Sequence, residues 1–288
     1  MHNPLKVKIC EVGPRDGLQN EQVFVSTENK VRLIDMLSAA HISYIEAASF
    51  VSPKWVPQMA DGKDVMAAIA RRDGTIYSTL TPNLTGYQAA MKAKANEVVV
   101  FASASETFSR RNINCSIAES LMSYEALCQQ ARADSMPVRG YVSCVVACPY
   151  EGPIDPGAVC DVARSLLDMG CREISLGDTI GVATPEQISR LLDSILKIMP
   201  VEKIAGHFHD TSGRALDCIR VSLDKGVRIF DCAVGGVGGC PFAPGSRGNV
   251  ATGAVVEMLE GAGYQTGIDQ TALQKAATFI SQILERAP

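Results

Sequence analysis

Two imidazoles stand two residues apart in Gly206-His207-Phe208-His209-Asp210-Thr211, directly after Lys203-Ile204-Ala205. On an extended strand, side chains at i and i+2 share one face, so His207 and His209 can hold one metal ion together. The chain has four histidines, the other two being His2 and His41, and taken alone the pair equally describes two hydrogen-bonded rings at a strand end. A second cluster, Gly13-Pro14-Arg15-Asp16-Gly17, sets a guanidinium beside a carboxylate between glycines. On a surface such a pair contributes little. Beside a histidine pair, Asp16 becomes a third ligand and Arg15 a permanent positive charge for an oxyanion. A third feature runs from Val234 to Gly245, with five glycines and two prolines in twelve residues. It reads as a lid that closes on substrate, with Cys240 as its working thiol, although a lone cysteine is more often structural.

These groups must be positioned by regular elements. Short β-branched runs occur at Val7–Val12, Tyr44–Ala48, Ile76–Leu80, Glu97–Ala102, Val138–Val146, Glu173–Leu176, Lys203–His209 and Arg228–Val234. Between them lie stretches with apolar residues at helical spacing, such as Leu33-Ile34-Leu37-Ala40 and Ala163-Leu166-Leu167-Met169, the latter closed by Gly170. Strand followed by helix, eight times over, predicts an α/β fold of the (β/α)8 TIM-barrel type, with Thr271–Arg286 as an extra C-terminal helix closing the bottom or edge. An open doubly wound sheet would want a phosphate fingerprint after an early strand. Gly236-Val237-Gly238-Gly239-Cys240-Pro241 has proline where the third glycine belongs, and no Gly-Lys-Ser/Thr occurs. In a barrel the catalytic groups sit at the C-terminal strand ends. The Arg15-Asp16 loop, Glu46, Asp178, the histidine pair and the glycine-rich loop all fall on that one rim.

The 288 residues, 47% hydrophobic and 20% charged, suit a single domain over 1–288 with a full-sized core. A net charge of −4, with no basic run longer than two residues, argues against a nucleic-acid partner. No apolar run approaches the ~20 residues of a membrane span. The ten cysteines are scattered through apolar segments, with no N-terminal cleavable region before them. They read as small buried hydrophobes in a reducing cytoplasm. Cys144 and Cys148 have a spacing zinc could use, but no second pair completes a site.

Taken together, the motifs resemble those of the 3-hydroxy-3-methylglutaryl-CoA lyase family along essentially the whole chain. The matching segments include Glu11-Val12-Gly13-Pro14-Arg15-Asp16-Gly17-Leu18-Gln19-Asn20-Glu21, Ser49-Phe50-Val51-Ser52-Pro53-Lys54-Trp55, Asn112-Ile113-Asn114-Cys115-Ser116 and Arg139-Gly140-Tyr141-Val142-Ser143-Cys144. Further matches are Cys148-Pro149-Tyr150-Glu151-Gly152, Gly177-Asp178-Thr179-Ile180-Gly181 and Gly238-Gly239-Cys240-Pro241. The resemblance implies a metal-dependent barrel enzyme that splits 3-hydroxy-3-methylglutaryl-CoA into acetyl-CoA and acetoacetate, in leucine degradation. By motif position it implies a divalent cation, Mg2+ or Mn2+, on Asp16, His207, His209 and Asn249. Arg15 would stabilise the product enolate, Cys240 would transfer protons with His207 or Asp16, and Glu46 and Asp178 would be supporting carboxylates. The expected partners are an acyl-CoA and, in a homodimer or higher homo-oligomer, further copies of the chain.

Four positions depart from the family pattern: Ser212, Arg214, Arg247 and Gly253. If they surround the acyl end of the substrate, a related 3-hydroxyacyl-CoA such as citramalyl-CoA becomes the alternative. A condensing enzyme of the same superfamily shares the arginine-aspartate loop and the histidine pair. It generally carries a longer C-terminal extension and lacks Gly-Gly-Cys-Pro.

Overall fold

The computed structural model describes residues 5–238 and 248–285. Eight parallel strands close into a barrel: β1 (Lys8–Glu11), β2 (Tyr44–Ser49), β3 (Ile76–Leu80), β4 (Glu97–Ser103), β5 (Val138–Ser143), β6 (Glu173–Asp178), β7 (Ile204–Phe208) and β8 (Ile229–Cys232), with β8 pairing back onto β1. The closed sheet is the expected (β/α)8 architecture, and the open-sheet alternative falls. Helices α1 (Thr27–Ala39), α2 (Gly62–Ala68) and α3 (Leu84–Lys92) follow the first three strands. Two helices, α4 (Glu106–Ile113) and α5 (Ile117–Ala133), follow β4, and α6 (Pro156–Asp168), α7 (Pro185–Ile195), α8 (Ala215–Asp224) and α9 (Thr252–Gly261) follow the last four strands. The extra helix, α10 (Gln270–Ile283), packs on α1 and α9, so it closes the edge of the outer ring and not the bottom. No described helix is long and apolar enough to cross a membrane.

Helix starts are written in the sequence. Ser116 and Glu119 form a capping box on α5, and Thr184 with Gln187 forms another on α7 beside Pro185. Side chains of Ser26, Asn83, Ser105, Asp155 and Asp269 accept first-turn amides of their helices.

Strand parity divides the residues cleanly. Outward positions such as Val98, Val100, Ile174, Leu176, Ile204 and Phe230 are buried against the helices in the main apolar core. The barrel axis is different. Inward positions carry Lys8, Tyr44, Glu97, Arg139, Glu173 and Asp231, all but Lys8 buried, with only Leu80, Val99 and Tyr141 forming a small apolar cluster above them. Interior layers of such barrels are usually branched aliphatics. Charges here are tolerated because they pair: Arg139 Nε donates to Glu173 at 2.6 Å, Arg139 Nη2 to Asp231 at 2.7 Å, and Tyr44 Oη to Glu97 at 2.7 Å.

The fifth strand is shorter than the β-branched run Val138–Val146 suggests. It ends at Ser143 because Cys144 takes a left-handed backbone, φ 60°. The chain then forms a two-residue antiparallel pairing of Ala147–Cys148 with Gly152–Pro153.

Candidate metal centre and active site

Residues 13–17 wind into a single π-turn at the end of β1, and that turn aims both Arg15 and Asp16 at the barrel mouth. Arg15 is buried; its Nη1 donates to Asp16 Oδ1 at 2.7 Å and its Nη2 to Glu46 Oε2 at 2.8 Å. Its Nε is buried with no partner among the described residues. Tyr141 Oη donates to the same Glu46 oxygen at 3.0 Å, and the ring lies beneath the guanidinium at 5.7 Å.

His207 and His209 share the inward parity of β7, as their spacing demands, with ring centroids 5.3 Å apart. Ligand atoms of Asp16, His207 and His209 all lie within 4.8 Å of one another, the one such group of His, Cys, Asp or Glu among the described residues. Asn249 joins them through the backbone: it forms an antiparallel bridge with His209, and its Nδ2 donates to Asp16 Oδ2 at 2.9 Å.

Electrostatics keep Asp16 and His209 in binding-ready form, whereas on His207 burial is outweighed by Asp231 and Asp16, which raise its pKa. Burial opposes charge on Asp16, but Arg15 and the two imidazoles hold it well below the usual carboxylate range. Burial, reinforced by His207, pushes His209 down to about 4, so the ring is neutral at neutral pH and one nitrogen keeps a lone pair. His209 Nδ1 is buried and makes no hydrogen bond among the described residues. His207 Nε2 stands 3.9 Å from Asp16 Oδ2, too far for a hydrogen bond. An orphaned imidazole nitrogen, an ionised carboxylate and a second imidazole facing one point fit a divalent cation.

The remaining expected residues are placed as follows. Glu46 is fully buried, and burial raises its pKa against the pull of Arg15. Asp178 is not brought to the cluster. It falls on the outward parity of β6, where its carboxylate accepts from Val182 N at 3.3 Å and Ala183 N at 2.9 Å in its own loop. Cys240 and Arg247 lie outside the described residues. Ser212 Oγ donates to Gly181 O at 2.5 Å and Arg214 Nη2 to Val182 O at 3.0 Å, tying the loop after β7 to the loop after β6, while Arg214 Nε is buried without a partner among the described residues. Gly253 stands in the first turn of α9, and a Cβ there would meet nothing within 4 Å.

Sequence reasoning missed Glu11, Tyr141, Arg139 and Asp231 as site residues. Glu11 points outward at the end of β1, accepting from Gly13 N at 2.8 Å, Val234 N at 2.9 Å and Thr252 Oγ1 at 2.7 Å. It thereby ties the Arg15-Asp16 turn to the segments flanking Asn249. The available signal was charge at a strand position of fixed parity, where a barrel normally carries an aliphatic side chain.

Known proteins answer to the same pattern. The profile of the HMGL-like family matches residues 6–280. The mitochondrial hydroxymethylglutaryl-CoA lyase of Arabidopsis thaliana is 55% identical over 283 residues, 98% of this chain; the chain spans 60% of that relative's length. A 3-hydroxy-3-isohexenylglutaryl-CoA/hydroxy-methylglutaryl-CoA lyase of Pseudomonas aeruginosa is 51% identical over 287 residues, covering 100% of this chain and 96% of its own. The crystal structure of the HMG-CoA lyase from Brucella melitensis superposes with a TM-score of 0.96 at 55% identity, covering 97% of this chain and 99% of its own.

Proposed function

The chain belongs to the HMGL-like family, and from that membership and the geometry of the rim we propose that it is a carbon–carbon lyase. It splits 3-hydroxy-3-methylglutaryl-CoA into acetyl-CoA and acetoacetate and works with Mg2+ or Mn2+. The observation that carries this reading is the meeting of Asp16, His207 and His209 within 4.8 Å beside a buried arginine. Asp16, His207, His209 and the side-chain carbonyl of Asn249 would hold the cation, which when bound supplies a Lewis acid for the C3 hydroxyl and the departing ketone.

Cleavage needs the C3 hydroxyl proton removed, the C2–C3 electron pair accepted as a thioester enolate, and C2 protonated. On this reading the hydroxyl proton passes to His207 or Asp16, which face each other across 3.9 Å, with Nδ1 of His207 held by Asp231. The C2–C3 pair then moves onto C2 and the thioester as C3 becomes the ketone of acetoacetate. Arg15 keeps one donor, Nε, without a partner among the described residues, and its charge would face the enolate oxygen. Cys240 returns a proton to C2 to give acetyl-CoA. Glu46 and Tyr141 hold the guanidinium in plane, and Asp178 shapes the loop after β6.

The methylglutaryl substrate is favoured over citramalyl-CoA. Among the described departures that raised the alternative, Ser212 and Arg214 make loop-to-loop bonds, and a Cβ at Gly253 would meet no described atom within 4 Å. Side-by-side turnover of the two acyl-CoA esters tests the reading, with EDTA expected to abolish cleavage and Mg2+ or Mn2+ to restore it. Full turnover in a verified metal-free sample, or a preference for citramalyl-CoA, would overturn it.

A further inference from the structure

Beneath the candidate metal ligands, the charges on the barrel axis form one connected column. Lys8 Nζ donates to Glu173 Oε2 at 3.0 Å, and Arg139 Nε donates to Glu173 Oε1 at 2.6 Å. Arg139 then grips Asp231 with both terminal nitrogens, Nη2 to Oδ1 at 2.7 Å and Nη1 to Oδ2 at 3.2 Å. Ser175 Oγ donates to Asp231 Oδ2 at 2.7 Å, and His207 Nδ1 meets the same oxygen at 3.2 Å. The column holds two cations and two anions, so it is neutral. It ends on an imidazole.

The register explains why it ends there. Asp231 of β8 is the in-register neighbour of His207 on β7, both at inward parity, so the two side chains rise side by side toward the mouth. Arg139 donates to both Asp231 oxygens and Ser175 Oγ to one of them, the bonding of a carboxylate. An ionised carboxylate only accepts. The hydrogen on His207 is therefore on Nδ1, and the Nε2 lone pair faces Asp16. Tyr141 packs edge-on against the ring at 5.8 Å and fixes its plane.

We propose that Asp231, clamped by Arg139 and Ser175, is the positioning residue that sets the tautomer and orientation of His207 and thereby the affinity of the rim for its divalent cation. The proposal rests on the metal reading of Asp16, His207 and His209. Partners of this kind typically govern affinity by 10–100-fold. A shape-conserving amide removes the charge and turns a donor toward the ring.

In the full-length protein, Asp231→Asn should weaken Mn2+ binding, read as free Mn2+ by electron paramagnetic resonance, by about 10–100-fold, with the circular dichroism of the wild type. An unchanged Mn2+ affinity in a folded variant would overturn the proposal. Because the variant leaves Arg139 short of a partner and could fail to fold, a second measurement uses the wild type. Two-bond 15N–1H correlation spectra of the Mg2+-loaded protein should show His207 with its proton on Nδ1. Proton on Nε2 would overturn the proposal whatever the variant does. If the wild type binds neither Mn2+ nor Mg2+, the metal reading fails by itself. The same spectra of the metal-free protein, recorded where His207 is neutral, then decide whether Asp231 sets its tautomer.

Discussion

His209 and Asn249 are joined by an isolated antiparallel bridge across the barrel mouth. That pairing brings the Asn249 amide to Asp16, whose carboxylate accepts it at 2.9 Å. Three loops, after β1, β7 and β8, are therefore fastened at one point, and the donor set is assembled by backbone pairing as much as by side-chain packing.

Arg15→Lys should lower kcat on the order of a hundredfold while leaving KM nearly unchanged. The guanidinium serves Asp16 and Glu46 simultaneously and keeps Nε free, and an ammonium cannot reproduce that fork. Loss of a donor to a developing oxyanion typically costs about 3 kcal/mol. Steady-state kinetics with 3-hydroxy-3-methylglutaryl-CoA checks this; a near-normal kcat would reduce Arg15 to a loop brace.

Gly181→Ala should destabilise the protein and depress turnover. Gly181 has φ 64°, and a Cβ there would lie 2.8 Å from both the His209 carbonyl and the Thr211 amide. The strain is about 1–3 kcal/mol, placed on the strand end that bears a metal ligand. Urea denaturation together with kcat tests it. Wild-type values for both would mean the loops give way easily.

Glu11 links stability to pH. Burial pushes its carboxyl up to about 7, against the three hydrogen bonds it accepts. The folded state thus holds the proton more tightly than the unfolded chain does, so the stability that the protonated form contributes is complete below about 4.5 and lost as pH rises through 7. Relative to Glu11→Gln, the wild type should lose on the order of 3 kcal/mol between pH 4.5 and 8. Urea midpoints of the two proteins across that range should converge or cross as pH rises. Parallel curves would refute the shift.

Cys240 should be the thiol that acyl-CoA shields. The nine described cysteines are all free, and all but Cys115 and Cys160 are buried. Partial burial still raises the thiols of Cys115 and Cys160 above the ordinary value. Peptide mass spectrometry after iodoacetamide treatment should find Cys240 modified first, and more slowly with acyl-CoA present. Equal labelling across sites, or a Cys240→Ser enzyme with unchanged kcat, would remove it from the mechanism.

The barrel was legible because each strand announces itself locally, through β-branched runs separated by helical spacing. Strand five was overread because the valines at 142, 145 and 146 continue a β pattern through Cys144, whose backbone conformation the pattern does not encode. His207 and His209 were legible for the same local reason, since two residues of spacing fix a shared face. Asp231 was hidden. Its partners Ser175, Arg139 and His207 lie 56, 92 and 24 residues away, and only barrel closure makes them neighbours. The departures at Ser212 and Arg214 suggested substrate contacts by proximity in sequence, but Ser212 Oγ and Arg214 Nη2 bond to the adjacent loop.

A barrel filled with aliphatic side chains can drift one methyl at a time. The axis of this one cannot, because replacing Arg139, Glu173 or Asp231 alone strands a charge where no water reaches it, at a cost of several kcal/mol. Viable descendants must therefore change such residues together or leave them alone. Diversification is pushed outward to the rim, where a position such as Gly253 has room for a larger side chain. New substrate ranges should arise there, over an interior that stays constant.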